Sequence, residues 1–285
     1  MRAVEVVATG PQALVEDLGR PGHAELGVPP SGALDVPALR LANRLTGNDE
    51  SAAGVEALLG GFAVRARTSC TVAVTGAQVT VDVDGLAVGT HAPVHLAAGQ
   101  TLTLGRPPAG LRCYLAFSGG IDVPAELGSR SRDVLSEIGP APLAPGDVLP
   151  LGVPGLPRGS DVVAPESAPP ELVVRAWPGP RDDWFADAAR TLAGPWTVTP
   201  ESNRVGVRLE GTALRRVPER EDTELPSEGL LTGAIQVPPN GLPVVFLADH
   251  PTTGGYPVIG VVAIEDLPRL AQAAPGTTVR LRASR

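Results

Sequence analysis

At roughly 100–200 residues per domain, a chain of 285 residues has room for two domains and one or two sizeable cores. Hydrophobic residues make up 43% but aromatics only 3%, and 34 Gly with 31 Pro interrupt the chain, so Val, Leu and Ala fill many short elements and the class is mostly β. A net charge of −8 without a basic stripe argues against nucleic acid, and the 23 basic residues, all arginine, exclude a Walker P-loop, a Schiff-base lysine and attachment of biotin or lipoate.

The chain opens with an apolar strand, VEVV, followed by a Gly/Pro-rich loop and one clear helix. That helix is expected near residues 36–46, with Asp35 as N-cap, Pro37 close behind, a stop near Gly47-Asn48, and Leu39, Ala42 and Leu45 on one face. From Gly61 to Leu151 short alternating strands separated by Gly-containing turns predict a closed or nearly closed barrel. A weak repeat, LAAGQTLTLG, LAPGDVLPLG and AAPGTTVRLR, begins near Leu96, Leu143 and Ala273, and two of its three copies close β units, one ending at Leu151 and the other at the C-terminus. Residues 156–170, rich in Pro, Gly and Ser, read as a linker. The expected organisation is therefore a domain of residues 1–155, that linker, and a second β domain of residues 171–285. In the latter, RDDWFADAARTLAG and EDLPRLAQAAPG supply short helices among strands.

The N-terminus lacks the charged and apolar regions of a secretory signal, and no apolar run approaches the ~20 residues of a membrane helix, so no membrane partner is expected and the location is cytoplasmic. Cys70 and Cys113 sit in Val/Leu-rich segments and read as buried free thiols. His91 and His95, four apart around Pro93, alternate with apolar residues and read as a structural pair; no metal site is assigned.

No GxSxG, HExxH or CxxC signature is present, so serine-hydrolase, zincin and thiol-redox chemistry lack support, and no catalytic residue is assigned. The long loop carrying Glu16, Asp17, Arg20, His23 and Ser31 is either a binding loop or a domain-packing element. Ser129, Arg130, Ser131 and Arg132 form a turn suited to reading a carboxylate or phosphate, or a solvated turn. Ser202, Asn203 and Arg204 precede a strand whose alternation would put Arg204 and Arg208 on one side. The densest polar concentration is Gly233 to Gly260. Gln236 and Asn240 on a strand and turn, then Asp249, Thr252, Thr253, Gly254, Gly255 and Tyr256, could converge on a small ligand, although Thr-Gly-Gly also suits a plain hairpin turn.

These stretches, EDLGRPGHAELGVPPSGALDVPALRLANRLTGN, LAFSGGIDVPAELGSRSRD, SNRVGVRLEG, GAIQVPPNGLP and TTGGYPVIGVVAIEDLPRLAQAAPGTTVRL, resemble the family of the C component of 5-oxoprolinase. That family is also called allophanate hydrolase subunit 2 or biotin-dependent carboxyltransferase. The likeness runs in order along nearly the whole chain and implies two cyclophilin-like β-barrels with a few short helices. It implies partner subunits of the B and A kinds, ATP as co-substrate of the assembled enzyme, and ring opening of 5-oxoproline to glutamate. A lactam is a poor electrophile, so the amide oxygen is expected to be activated by phosphorylation before water attacks. Gln236, Asn240, Asp249, Thr252, Thr253, Gly254, Gly255, Tyr256, Ser202 and Arg204 would hold the small amide, and Arg20, Ser129, Arg130 and Ser131 its phosphate or carboxylate. Two other readings follow from the resemblance: a biotin-dependent carboxyltransferase component acting on an amide such as urea, with biotin carried elsewhere, and a regulatory protein that antagonises a kinase inhibitor. Asp249-His250-Pro251 stands where the family pattern reads D-x-Q before the threonines, and Asn203 where it has Asp.

Overall fold

The structure, a computed structural model, describes residues 2–155 and 171–284; the 156–170 stretch expected as a linker lies outside them. The described chain falls into two compact units. One takes in residues 2–20, 31–133 and 137–155, the other residues 21–30, 134–136 and 171–284.

The first unit is built from β1 (Ala3–Thr9), β2 (Gln12–Glu16), α1 (Val36–Leu45), β3 (Gly54–Leu58), β4 (Phe62–Ala66), β5 (Cys70–Gln78), β6 (Val81–Val83), β7 (Leu86–Val88), β8 (Pro93–Leu96), β9 (Thr101–Leu104), β10 (Ala109–Phe117) and β11 (Val148–Pro150). They form a six-stranded sheet, β11-β1-β4-β9-β6-β7, and a five-stranded sheet, β2-β3-β10-β5-β8. Strand residues point alternately to opposite faces. Val4, Val6 and Val64 of one sheet and Val15, Val55, Val72 and Leu115 of the other accordingly meet in a single core. Where β5 and β10 lose register between Ala109 and Cys113, Gly76 has φ +85°. A Cβ there would stand 2.4 Å from the Arg112 carbonyl oxygen, so the bulge requires glycine.

Helix α1 covers the other face of the five-stranded sheet. The Asp35 carboxylate accepts from the Ala38 N–H at 3.1 Å, capping the helix, and Leu39, Ala42 and Leu45 are buried as their spacing predicts. Beneath it Glu56 and Arg112 form a buried ion pair at 3.4 Å, and the Tyr114 hydroxyl donates to Glu56 at 2.7 Å while accepting from the Asp35 N–H at 2.8 Å. Burial first, and then the adjacent Glu56 and Asp35 charges, push the Tyr114 phenol well above its usual range.

The weak sequence repeat has a physical basis. In each copy an i to i+3 backbone hydrogen bond closes a turn: Gln100 N–H to Ala97, Asp147 N–H to Ala144, and Thr277 N–H to Ala274. The third residue of each turn is a glycine at positive φ: Gly99 (+90°), Gly146 (+95°) and Gly276 (+88°). That is the geometry for which type II turns select Pro-Gly, and Pro145 and Pro275 precede two of the three.

The second unit contains β12 (Glu171–Pro178), α2 (Ala188–Leu192), β13 (Trp196–Val198), β14 (Gly206–Glu210), β15 (Glu228–Gly229), β16 (Ala234–Gln236), β17 (Val244–Phe246), β18 (Thr253–Gly254), β19 (Val258–Val262), α3 (Leu267–Ala271) and β20 (Thr278–Ala283). Seven of these strands close into a barrel, β12-β19-β16-β17-β14-β13-β20. The ring closes through a parallel pairing of β12 with β20. Leu172, Val174, Val207, Ile235, Val245, Ile259 and Val279 are buried, as is Trp196, whose indole N–H donates to the Leu192 carbonyl at 3.0 Å. The expected helix RDDWFADAARTLAG is broken: a 3-10 turn covers Asp182–Trp184, Asp187 takes φ +52°, and α2 follows. No helix among the described residues is long and apolar enough to cross a membrane.

Cys70 and Cys113 are both free and buried. Burial pushes the Cys113 thiol up to about 12; burial also raises Cys70, partly opposed by the charge of Arg2. Since the thiolate is the nucleophile, native protein at pH 8 is expected to show almost no reaction with Ellman's reagent over minutes. Two thiols should appear on denaturation, and fast native labelling would contradict the burial.

Candidate functional site

In the first unit, the polar residues singled out from the sequence gather around one carboxylate. Asp17 directly follows the strand β2, and its Oδ1 accepts from the Ser129 hydroxyl at 2.6 Å, the Ser131 hydroxyl at 2.7 Å and the Gly19 N–H at 2.8 Å. Its Oδ2 accepts from the Arg130 N–H at 2.6 Å. The Ser131 hydroxyl oxygen in turn accepts from the Asp17 N–H at 2.8 Å. Arg20 is buried beside this cluster, with Nη2 donating to the Ser131 carbonyl and Nε to the Glu126 carbonyl. The Arg130 guanidinium turns away, donating to the Val123 carbonyl at 2.7 Å and to Asp122 at 2.9 Å. The serine turn thus does read a carboxylate, and that carboxylate belongs to the chain itself. Ser31 completes the loop by donating to the Arg132 carbonyl at 3.2 Å.

His91 is buried with its burial lowering the imidazole below its usual range, whereas His95 is exposed. Among the described residues no group of three or more His, Cys, Asp and Glu is placed to hold a metal ion.

In the second unit the segment after Gly233 is assembled from the inside out. Arg204 and Asp249 are 2% and 0% exposed and meet in a two-point pair, Nε to Oδ2 at 2.8 Å and Nη2 to Oδ1 at 3.1 Å. The Val134 N–H adds a donor to Oδ2 at 3.1 Å, and the Asp249 N–H donates to the Arg204 carbonyl at 3.2 Å. Their place is internal, beneath the turn. Arg208 is exposed instead of sharing a side with Arg204, because β14 begins only at Gly206 and Arg204 lies before the alternation starts. Asn203 Oδ1 accepts from the Val205 N–H at 2.9 Å and from the Gly206 N–H at 3.3 Å. The turn needs only an acceptor oxygen, which an Asp would also supply. Ser202 accepts from the Arg208 N–H at 3.0 Å.

His250 is 3% exposed. Its Nδ1 lies 2.7 Å from the Pro251 carbonyl, which can only accept, so Nδ1 donates there, and Nε2 lies 3.1 Å from the Thr232 hydroxyl. His250 therefore fills an interior position, while Pro251 is half-buried. Gln236 is also buried, and its amide donates to the Tyr256 carbonyl at 3.0 Å. A Cβ on Gly254 would fall 2.8 Å from that amide nitrogen and 2.9 Å from Leu230 Cδ1, so the glycine is what lets Gln236 lie under the strand β18.

What remains open is the outer rim. Thr253 and Tyr256 are exposed, Thr252, Gly254 and Gly255 are half-buried, and Asn240 is exposed with its Oδ1 accepting from the Leu242 N–H at 3.0 Å. Gly255 and Tyr256 line a groove of about 810 Å³, together with Pro238 and Pro239 just beyond the end of β16 and a wall running from Leu214 to Leu225. That second wall was missed from the sequence; the available signal was the charge-dense run RRVPEREDTEL.

Removing one partner of a buried ion pair leaves the other charged and unpaired. Arg204→Met is expected to destabilise the protein by about 3–5 kcal/mol in urea unfolding, while Thr253→Ala stays within about 0.5 kcal/mol. Equal effects would contradict the division into an interior support and an open rim.

Comparison with known proteins agrees with this architecture. The family model of the carboxyltransferase domain, subdomain A and B, matches residues 26–283. The C component of 5-oxoprolinase from Escherichia coli K12 is 40% identical over 97% of this chain and 89% of its own length. Urea amidolyase of Saccharomyces cerevisiae is 32% identical over 98% of this chain and 16% of its own length. The crystal structure of TTHA0988 superposes with a TM-score of 0.89 at 35% identity, covering 99% of this chain and 55% of that one, so the chain spans about half of that solved protein. Matched along nearly its whole length, the chain belongs to the carboxyltransferase domain family, subdomains A and B.

Proposed function

We propose that this chain is one subunit of an ATP-dependent 5-oxoprolinase, converting 5-oxoproline to glutamate together with partner subunits of the A and B kinds. The observation that carries the reading is the 40% identity with the E. coli C component, extending over 97% of this chain and 89% of that protein. Little of either sequence is left over for a different task. In the urea amidolyase match only 16% of the larger protein is involved.

An unactivated lactam carbonyl resists water. ATP as co-substrate supplies the activation: the amide oxygen takes the γ-phosphoryl group and ADP leaves. Water then adds to the carbon, the C–N bond breaks as the nitrogen takes up protons to become the ammonium of glutamate, and a second water hydrolyses the acyl phosphate left behind, releasing phosphate and the side-chain carboxylate. With no lysine in the chain there is no Walker-type P-loop here, so ATP is handled differently or by a partner subunit, and the reaction belongs to the cytoplasm, where ATP is available. This chain's share is to hold the small amide at the open rim, through the Thr253 hydroxyl, the Tyr256 phenol and the backbone around Gly255. Gln236, Asp249 and Arg204 keep that rim in place from below, and Arg20, Ser129, Arg130 and Ser131 shape the Asp17 loop.

Glutamate formed from 5-oxoproline by the three subunits together should depend on ATP and on every subunit. Thr253→Ala and Tyr256→Phe should each lower kcat/KM about tenfold, the worth of one lost hydrogen bond, with assembly intact. An intact complex that releases no glutamate overturns the reading. If the same complex, given a biotin carrier, carboxylates urea, the carboxyltransferase reading takes its place; the whole-chain match to urea amidolyase is what keeps that second reading in view.

A further inference from the structure

In the first unit, one residue carries three separate costs. His91, in the turn between β7 and β8, has φ +56°, a left-handed conformation uncommon outside glycine. Its side chain is buried, and Nδ1 has no hydrogen-bond partner among the described residues. No charged group offsets this, since burial alone lowers the imidazole below its usual range. Around it, β5 carries no titratable side chain but Cys70, β7 carries none, and β8 carries only His95, which is exposed. The two arginines of α1, which packs on β5, are held by Glu50 at the surface.

The backbone of the same residue closes an edge. The strand β8 lies at the margin of the five-stranded sheet and pairs with β5 alone, Pro93 standing opposite Ala73. Proline has no N–H to give, and the rung at this end is the His91 N–H donating to the Val74 carbonyl at 2.8 Å. To bring the imidazole into water the left-handed turn must open, and that rung opens with it. We propose that His91 is a proton-operated latch on the edge strand β8, closed while the imidazole is neutral and released when it takes up a proton. Protonation puts an N–H on both ring nitrogens. Nδ1 then becomes a buried donor without an acceptor, and a charge is buried with no carboxylate to pair it. The open turn meets neither cost, so the closed turn favours the neutral ring. The latch is tight above about pH 6.5, the ordinary histidine value, and opening gains about tenfold for each unit below it.

Hydrogen exchange of the full chain, followed by mass spectrometry and corrected for the intrinsic pH dependence of exchange, reads the opening of residues 89–96 and 70–78. Between pH 7.5 and 5.5 opening of both segments is expected to rise about tenfold. His91→Asn, which tolerates the left-handed backbone and has no titrating ring, should open equally at both pH values. His95→Asn changes an exposed histidine of the same strand and should keep the wild-type response. No rise in the wild-type chain, or the same rise in His91→Asn, overturns the proposal. Proton NMR needs no variant: among the four histidines, the ring of His91 should stay neutral to lower pH than that of exposed His95. Titration of the two rings at the same pH overturns the latch.

Discussion

The pair between Arg204 and Asp249 is the constraint on which the rest of the second unit's site depends. Both side chains are almost wholly buried and joined at two points, so neither can move without leaving a charge unmatched in a low-dielectric interior. Asp249 ends the stretch that follows β17, and the turn that leads through His250 to Tyr256 starts from its fixed position. His250 then fixes the next step by bridging Thr232 and the Pro251 carbonyl. Gln236 fixes the one after by holding the Tyr256 carbonyl. Three interior side chains therefore set the path of a loop on which Thr253 and Tyr256 are exposed. This is the arrangement that precise recognition requires, because a loop held only by its own turn geometry would lose too much order to position a small molecule.

The first unit solves a similar problem with neutral donors. Two serine hydroxyls and two backbone N–H groups converge on Asp17, and the guanidinium of Arg20 ties the same turn to the Ser131 and Glu126 carbonyls. The charge is dispersed over several hydrogen bonds rather than cancelled by one cation. A carboxylate so surrounded keeps two distant parts of the chain in register.

Much of this fold was legible in the sequence. The Val-rich alternation placed the strands, Asp35 marked the start of α1, and the repeated small-residue-Gly turns marked three strand entries because each needs a residue at positive φ. What was not legible was the direction in which polar residues face. Ser131 and Asp17 are separated by 114 positions, and Arg204 and Asp249 by 45; a local pattern cannot show that such residues satisfy each other. Read singly, they look like ligand contacts, since a hydroxyl or guanidinium in a Gly-rich loop serves either purpose. The alternation drawn through Arg204 and Arg208 failed for a simpler reason, that the strand starts two residues later than the pattern. The wall carrying Arg215 was overlooked because a charge-dense run resembles an ordinary solvated loop until the prolines opposite it are seen to form a groove.

The closed ring of the second unit also has a bearing on assembly. A barrel whose seven strands all find neighbours leaves no row of unsatisfied backbone donors and acceptors, so nothing can lengthen it by adding a strand. The sheets of the first unit do end in margins, but these are blunt or occupied: β7 has three residues, β8 begins with Pro93, β11 ends with Pro150, and on β2 the Val15 and Ala13 carbonyls accept from the Arg132 and Leu143 N–H groups. Recognition by any companion protein must then be written in side chains and loops rather than in shared sheet hydrogen bonds, which makes it sensitive to individual surface substitutions and resistant to indiscriminate self-association.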